Sequence, residues 1–111
     1  MLSLAPGIAA RVTFGTGANM TESIPMRAEI LREAERLSCG DRDDAYGNPV
    51  ETMQRTADIF NAITGRDLTA DEAAMFHVAT KLARLRTSPK HRDSHVDAAS
   101  YLAIRYECLN D

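Results

Sequence analysis

The chain has no tryptophan and only three phenylalanines and three tyrosines in 111 residues. Aromatics this sparse, set against abundant Ala, Leu, Met and Arg, disfavour a β-sandwich and favour packed helices. Its two cysteines, Cys39 and Cys108, do not make a disulfide framework and read as reduced thiols of a cytoplasmic protein. No apolar run approaches the ~18–20 residues of a membrane span, which excludes a membrane partner of that kind. Neither a Gly-rich phosphate loop nor a Gly-x-Ser-x-Gly nucleophile elbow is present. His77, His91 and His95 stand at no spacing, with an acid or a Cys, that would close a zinc tetrahedron. They read as surface or hairpin histidines. The net charge of −3 excludes a general DNA-coating role, and nucleic acid is not an expected partner.

What the chain does have is charge segregation. Eight of its 16 acids fall between Glu22 and Glu51, whereas His77 to Arg92 holds five Lys or Arg residues and no acid. Such asymmetry suits self-association or a local anion site. The length is that of one domain. Residues 1–24 carry closely spaced Pro6, Gly7, Gly15 and Gly17 without a helical period, and are expected to form a flexible N-terminal extension. Pro6-Gly7 interrupts the apolar stretch from Leu2 to Ala10, so no signal peptide is read, and Met20 reads as the natural start.

Residues 25–111 are expected to form a single all-α domain, an antiparallel four-helix bundle. The first helix should begin near Ser23 or Pro25 and stop at Gly40 in a left-handed conformation. The second opens with Asn48 as cap, Pro49 as first residue and Glu51 closing a capping box, and ends at Gly65. Thr69 and Glu72 make a second capping box for the third helix. That helix is apolar on most sides and so is expected to be central. Its polar line is His77, Lys81 and Arg84, spaced i, i+4, i+7. Pro89 bars continuation, and the fourth helix should run from about Asp93, its N-cap, to Cys108.

Chemistry is expected where the third and fourth helices meet. Asp93 and Asp97 project to one side of a helix, about 6 Å apart, a separation that suits two oxygens converging on Mg²⁺. Asp93 also reads simply as a cap. Asp97, mid-helix among apolar residues, wants a partner, and either an ion pair with Lys81 or Arg84 or a metal or substrate role satisfies it. Lys81 and Arg84 share a face and suit phosphate, Arg adding a two-pronged grip. Arg86, Lys90 and Arg92 read as a helix C-terminus complementing the dipole. The Arg42–Asn48 loop, with Arg42 and Tyr46, precedes a helix N-terminus and suits an anion or a ribose.

Three elements in order carry a resemblance: Arg42…Tyr46-Gly47, Lys81-Leu-Ala-Arg84-Leu, and Asp93-Ser-His-Val-Asp97-Ala-Ala-Ser-Tyr101. Over about residues 27–107 the chain resembles a family of small phage-type helical proteins of unknown function. That family is similar to nucleotide-modification-associated helical domains and, more remotely, to the MazG-like all-α NTP pyrophosphatases. The resemblance implies a nucleotide ligand, Mg²⁺, and assembly as a homodimer or larger. It places Asp97 at the metal; Asp93, one place off the pattern, joins it as expected metal ligand and water-positioning group by helical spacing alone, with Lys81, Arg84, Arg42, Tyr46 and Tyr101 expected on substrate. The chain departs from the pyrophosphatases in its carboxylates. Only Asp97 matches their Glu-x-x-Asp element, and Glu72 is followed by Met75 where a Glu-x-x-Glu pair needs its second acid. Two expectations follow: a Mg²⁺-dependent NTP pyrophosphatase relative, or a non-enzymatic phage accessory protein that binds a host protein or sequesters a nucleotide.

Overall fold

In the computed structural model, which describes residues 24–40 and 47–110, the protein is all-α. Its four helices are α1 (Met26–Cys39), α2 (Pro49–Thr64), α3 (Ala70–Thr87) and α4 (Arg92–Asn110), and no strand occurs among the described residues. The expected extension up to residue 23, including Met20, lies outside the described residues.

Local chemistry sets most helix ends. Pro25 is the extended N-cap of α1, one place before the first helical residue, so its missing N–H costs the helix nothing. At α2, Asn48 Oδ1 accepts the N–H groups of Val50 and Glu51 at 2.8 and 3.4 Å. The Glu51 carboxylate, expected to close a capping box, lies 3.7 Å from Arg55 one turn along. Gly65 closes α2 with φ 76°, a left-handed conformation that costs glycine little. In the following link the Asn61 side chain brackets the Leu68 backbone, donating to its carbonyl at 2.9 Å and accepting its N–H at 2.7 Å. The Glu72 carboxylate reaches back to the Thr69 N–H at 3.0 Å, the reciprocal contact that starts α3.

Two expected helix ends are corrected. Gly40 has φ −105° and is not left-handed; a Cβ there would lie 3.1 Å from the Arg36 carbonyl, a tight contact, so the position favours glycine for close approach. At α4 the cap is His91, not Asp93. The helix begins at Arg92, and His91 Nδ1 accepts the Ser94 N–H at 3.3 Å and lies 2.8 Å from Ser94 Oγ. Asp93 is therefore an exposed residue inside the first turn.

The core gathers Met53, Ala57, Ala73, Ala74 and Ile104, flanked by Leu68, Ala70, Tyr101 and Cys108. Alanines at 57, 73 and 74 leave no side-chain bulk between backbones, so the helices approach closely. As expected of a central helix, α3 touches more than one neighbour, packing against α2 and α4, and α4 packs against all three other helices. The small buried residues Ser94, Val96, Ala98 and Ser100 of α4 let it be covered on several sides. Ser100 Oγ donates to the Val96 carbonyl at 3.0 Å and lies 3.4 Å from the Ala34 carbonyl of α1. By contrast α3 leaves Met75, Phe76 and Leu82 exposed, so the apolarity that marked it as central is only partly buried.

Candidate functional site on the α3–α4 seam

Pro89 ends α3's run, and the short turn that follows sends α4 back along it. The turn is held by the His91 N–H donating to the Ser88 carbonyl at 3.0 Å and by His95 Nε2 donating to the Pro89 carbonyl at 2.9 Å. Two cross-helix pairs then report the register. His77 of α3 stacks on Tyr101 of α4. One turn forward on α3 and one turn back on α4, Lys81 Nζ lies 3.2 Å from Asp97 Oδ2. The two helices are thus antiparallel, and their polar edges face each other.

The ion pair is neither buried nor free in water: 24% of the Lys81 side chain and 32% of the Asp97 side chain remain exposed. At that depth the attraction is stronger than between two surface charges, while both groups stay within reach of a ligand. The aromatic pair has ring centroids 4.5 Å apart and planes 11° from parallel. Tyr101 also packs against the core, so the stack is anchored from the α4 side. Arg84, a turn beyond Lys81, is exposed, as are Arg86, Lys90 and Arg92 around the turn. Of these, Arg84 continues the Lys81 face toward the hairpin end, while Arg86 lies on another side of α3 and the Arg92 charge acts on Glu33 of α1.

Among the expected site residues, the structure brings together Lys81, Asp97 and Tyr101 and places Arg84 beside them on the α3 line. Asp93 is exposed, one turn from Asp97 and closer to the hairpin end. Arg42 and Tyr46 lie outside the described residues. Among the described residues no group of three or more His, Cys, Asp or Glu side chains gathers at a metal-binding spacing. His77 was missed as a partner in the seam. Its signal was present: it heads the i, i+4, i+7 line with Lys81 and Arg84, and Tyr101 stands four residues from Asp97. Only the helix register joins the two lines.

Among the described residues, the Glu33 carboxyl is perturbed, away from the seam. The Arg36 guanidinium hydrogen-bonded to Glu33, aided by the charges of Arg36 and Arg92, holds that carboxyl below its usual range. This is an α1 surface contact and brings no further group to the seam.

A family model described as a domain of unknown function, DUF6378, matches residues 29–109. The chain is 34% identical over 76 residues to the "Gene 55 protein" of Mycobacterium phage D29, covering 68% of this chain and 50% of that protein. It is 32% identical over 76 residues to the "Gene 55 protein" of Mycobacterium phage L5, covering 68% of this chain and 49% of that one. The chain thus spans about half the length of these curated relatives. No solved structure matches it. These likenesses place it with phage-type proteins of unknown function.

Proposed function

The chain belongs to the DUF6378 family, and from that premise we propose that it is a phage-type nucleotide-binding protein whose ligand lies along the α3–α4 seam. The observation that supports this most is the partly exposed Lys81–Asp97 pair, flanked by a stacked His77–Tyr101 pair on one side and exposed Arg84 on the other. A phosphate needs donors that stay charged and reachable. Lys81 and Arg84, on one face of α3, supply an ammonium and a planar fork.

The finer reading is a Mg²⁺-dependent nucleoside triphosphate pyrophosphohydrolase relative. Asp97, with Asp93 one turn away, would hold the metal. Two carboxylates, with no group of three or more ligands among the described residues, suit an ion that completes its shell with phosphate oxygens and water, not one caged by protein alone. Such an ion supplies charge neutralisation at the phosphates. Lys81 and Arg84 would position the phosphate chain. The test is a panel of NTPs and dNTPs with Mg²⁺, read by pyrophosphate release and by thermal shift. A shift abolished by Lys81→Met is the expected result; neither turnover nor a shift with any nucleotide removes the reading.

The second reading, a non-enzymatic accessory protein, draws on the ion pair itself. Asp97 already has a counter-ion, and in this reading the Lys81–Asp97 pair does no more than hold α3 against α4. Either reading suits a homodimer or higher oligomer, because Phe76 and Tyr106 are 65% and 70% exposed and a second copy would cover such side chains. Sedimentation of the full chain beside Phe76→Glu tests that part.

A further inference from the structure

We infer that the open flank of the α3–α4 hairpin, where exposed apolar residues surround the guanidinium of Arg105, is a docking groove for an acidic amphipathic helix of another protein. The groove uses none of the residues assigned to the nucleotide, so it stands or falls apart from that reading.

The flank follows from the helix register. The stack of His77 on Tyr101 and the Lys81–Asp97 pair fix α3 against α4 and put Met75 about level with Leu102. With 3.6 residues per turn, Met75, Val78 and Leu82 line one flank of α3, and Ala98, Leu102, Arg105 and Leu109 line the same flank of α4. The other helices lie elsewhere. α2 packs on Ala73 and Ile104, and α1 approaches Ser100 through the Ala34 carbonyl, all on the opposite flank. Met75, Leu82, Leu102 and Leu109 are accordingly at least 40% exposed, while Val78 and Ala98 are buried at the floor between them.

Spacing decides what shape covers this flank. The residues stand at i, i+3, i+7 on α3 and at i, i+4, i+7, i+11 on α4, the alternating three and four of a coiled-coil seam. Two such strips side by side make a groove into which a third helix lays its own apolar line. From the level of Leu82 to Leu109 the groove runs about 20 Å, or about four helical turns.

Arg105 decides what charge that helix carries. It occupies a seam position among leucines, and its Nε is buried without a hydrogen-bond partner. None of the ion pairs among the described residues includes it. A buried donor left unsatisfied is costly. A carboxylate laid across Nε–H and one Nη–H satisfies it in the two-pronged geometry that a guanidinium favours. A polar residue at a single seam position also selects register and partner. A second copy fits less well. The flank laid on itself brings in a second Arg105, and the acid at its end, Asp71, already accepts the Thr69 hydroxyl.

The deciding experiment is fluorescence anisotropy of the full chain with a labelled synthetic helix of about three heptads. The probe carries Leu at each a and d position except for one central Glu, and a control peptide carries Lys there. The Glu peptide should bind about 10-fold or more tightly than the Lys peptide. Arg105→Glu should reverse that order, a result that mere loss of structure does not produce. Leu102→Gln should weaken both peptides, whereas Phe76→Glu, on another side of α3, should leave both unchanged. Circular dichroism of each variant checks that the helices are intact. Neither peptide binding to a folded wild type, or both binding equally, would overturn the inference. Sedimentation showing a dimer that Leu102→Gln dissolves and Phe76→Glu does not would give the flank to a second copy, and would overturn it as well.

Discussion

Asp97 aims Oδ2 at the Lys81 ammonium from 3.2 Å across the α3–α4 seam, with a quarter to a third of each side chain still in contact with solvent. That partial exposure decides how much the pair contributes to stability. Breaking a fully buried pair costs about 3–5 kcal/mol because an uncompensated charge is left behind, whereas exposed pairs are worth about 0.2–1 kcal/mol. With solvent able to reach either partner, a coupling energy of about 1 kcal/mol is expected, near the top of the exposed range. Urea unfolding of Lys81→Met, Asp97→Asn and the double variant measures it. A coupling of several kcal/mol would mean that the seam closes around the pair in solution.

The α4 N-terminus offers a cleaner separation of residues. His91 Nδ1 accepts the Ser94 N–H, while Asp93, the stronger capping letter, is exposed within the helix. His91→Ala should therefore destabilise the protein by about 0.5–2 kcal/mol, the usual cost of losing a cap. His91→Asn, which keeps a short acceptor, should recover most of it. Asp93→Asn should change little beyond a weakened dipole interaction of about 0.3–1 kcal/mol. Thermal unfolding of the three variants tells them apart, and a larger loss at Asp93 than at His91 would return the cap to Asp93.

Those residues also show what could and could not be read from the chain alone. Asn48-Pro49, Thr69 with Glu72, and Gly65 were legible because each signal and its effect lie within one turn, where backbone geometry leaves few alternatives. The His91 cap was not, because imidazole is an uncommon capping group and a more usual one stands two residues on. Gly40 carries the same letter whether a left-handed turn or a close approach requires it. Asn61 locks Leu68 from seven residues away, beyond the reach of any local rule. The choice between Lys81 and Arg84 as partner of Asp97, and the pairing of His77 with Tyr101, depend on the register of two helices. The turn through Ser88–His91 sets that register, and its geometry cannot be read from helical spacing on either helix.

The thin core makes its own prediction. Met53 and Ile104 are the large side chains among residues otherwise dominated by alanine, so much of the apolar contact between α2, α3 and α4 depends on them. Met53→Ala is expected to cost about 2–5 kcal/mol through lost burial and an unfilled cavity. Ala74→Leu, at a position with no exposed surface, should cost about 1–3 kcal/mol by forcing α3 away from its neighbours. Because Tyr101 packs against the same cluster, Ala74→Leu should also disturb the His77–Tyr101 stack, visible as shifted aromatic resonances of both rings. Unchanged resonances with lowered stability would mean that the stack is held independently of the core.

Acid dependence provides a last, small and directional effect. Arg36 Nη2 donates to Glu33 Oε2 at 2.7 Å, and this hydrogen bond is the main reason the Glu33 carboxyl is lowered, with the Arg36 and Arg92 charges adding to it. A carboxyl whose folded value is depressed favours the folded state above its ordinary value, and that contribution is lost as pH falls through the lowered one. Glu33→Gln should thus be slightly less stable than the wild type at neutral pH and equal to it once acid has protonated the carboxyl in both states. The group is on the surface, so about 0.5 M salt should shrink the neutral-pH difference by screening. Denaturant midpoints measured across pH at two salt concentrations test this. A difference that grows as pH falls would have the wrong sign, and would mean that the Glu33 carboxyl is raised in the folded protein.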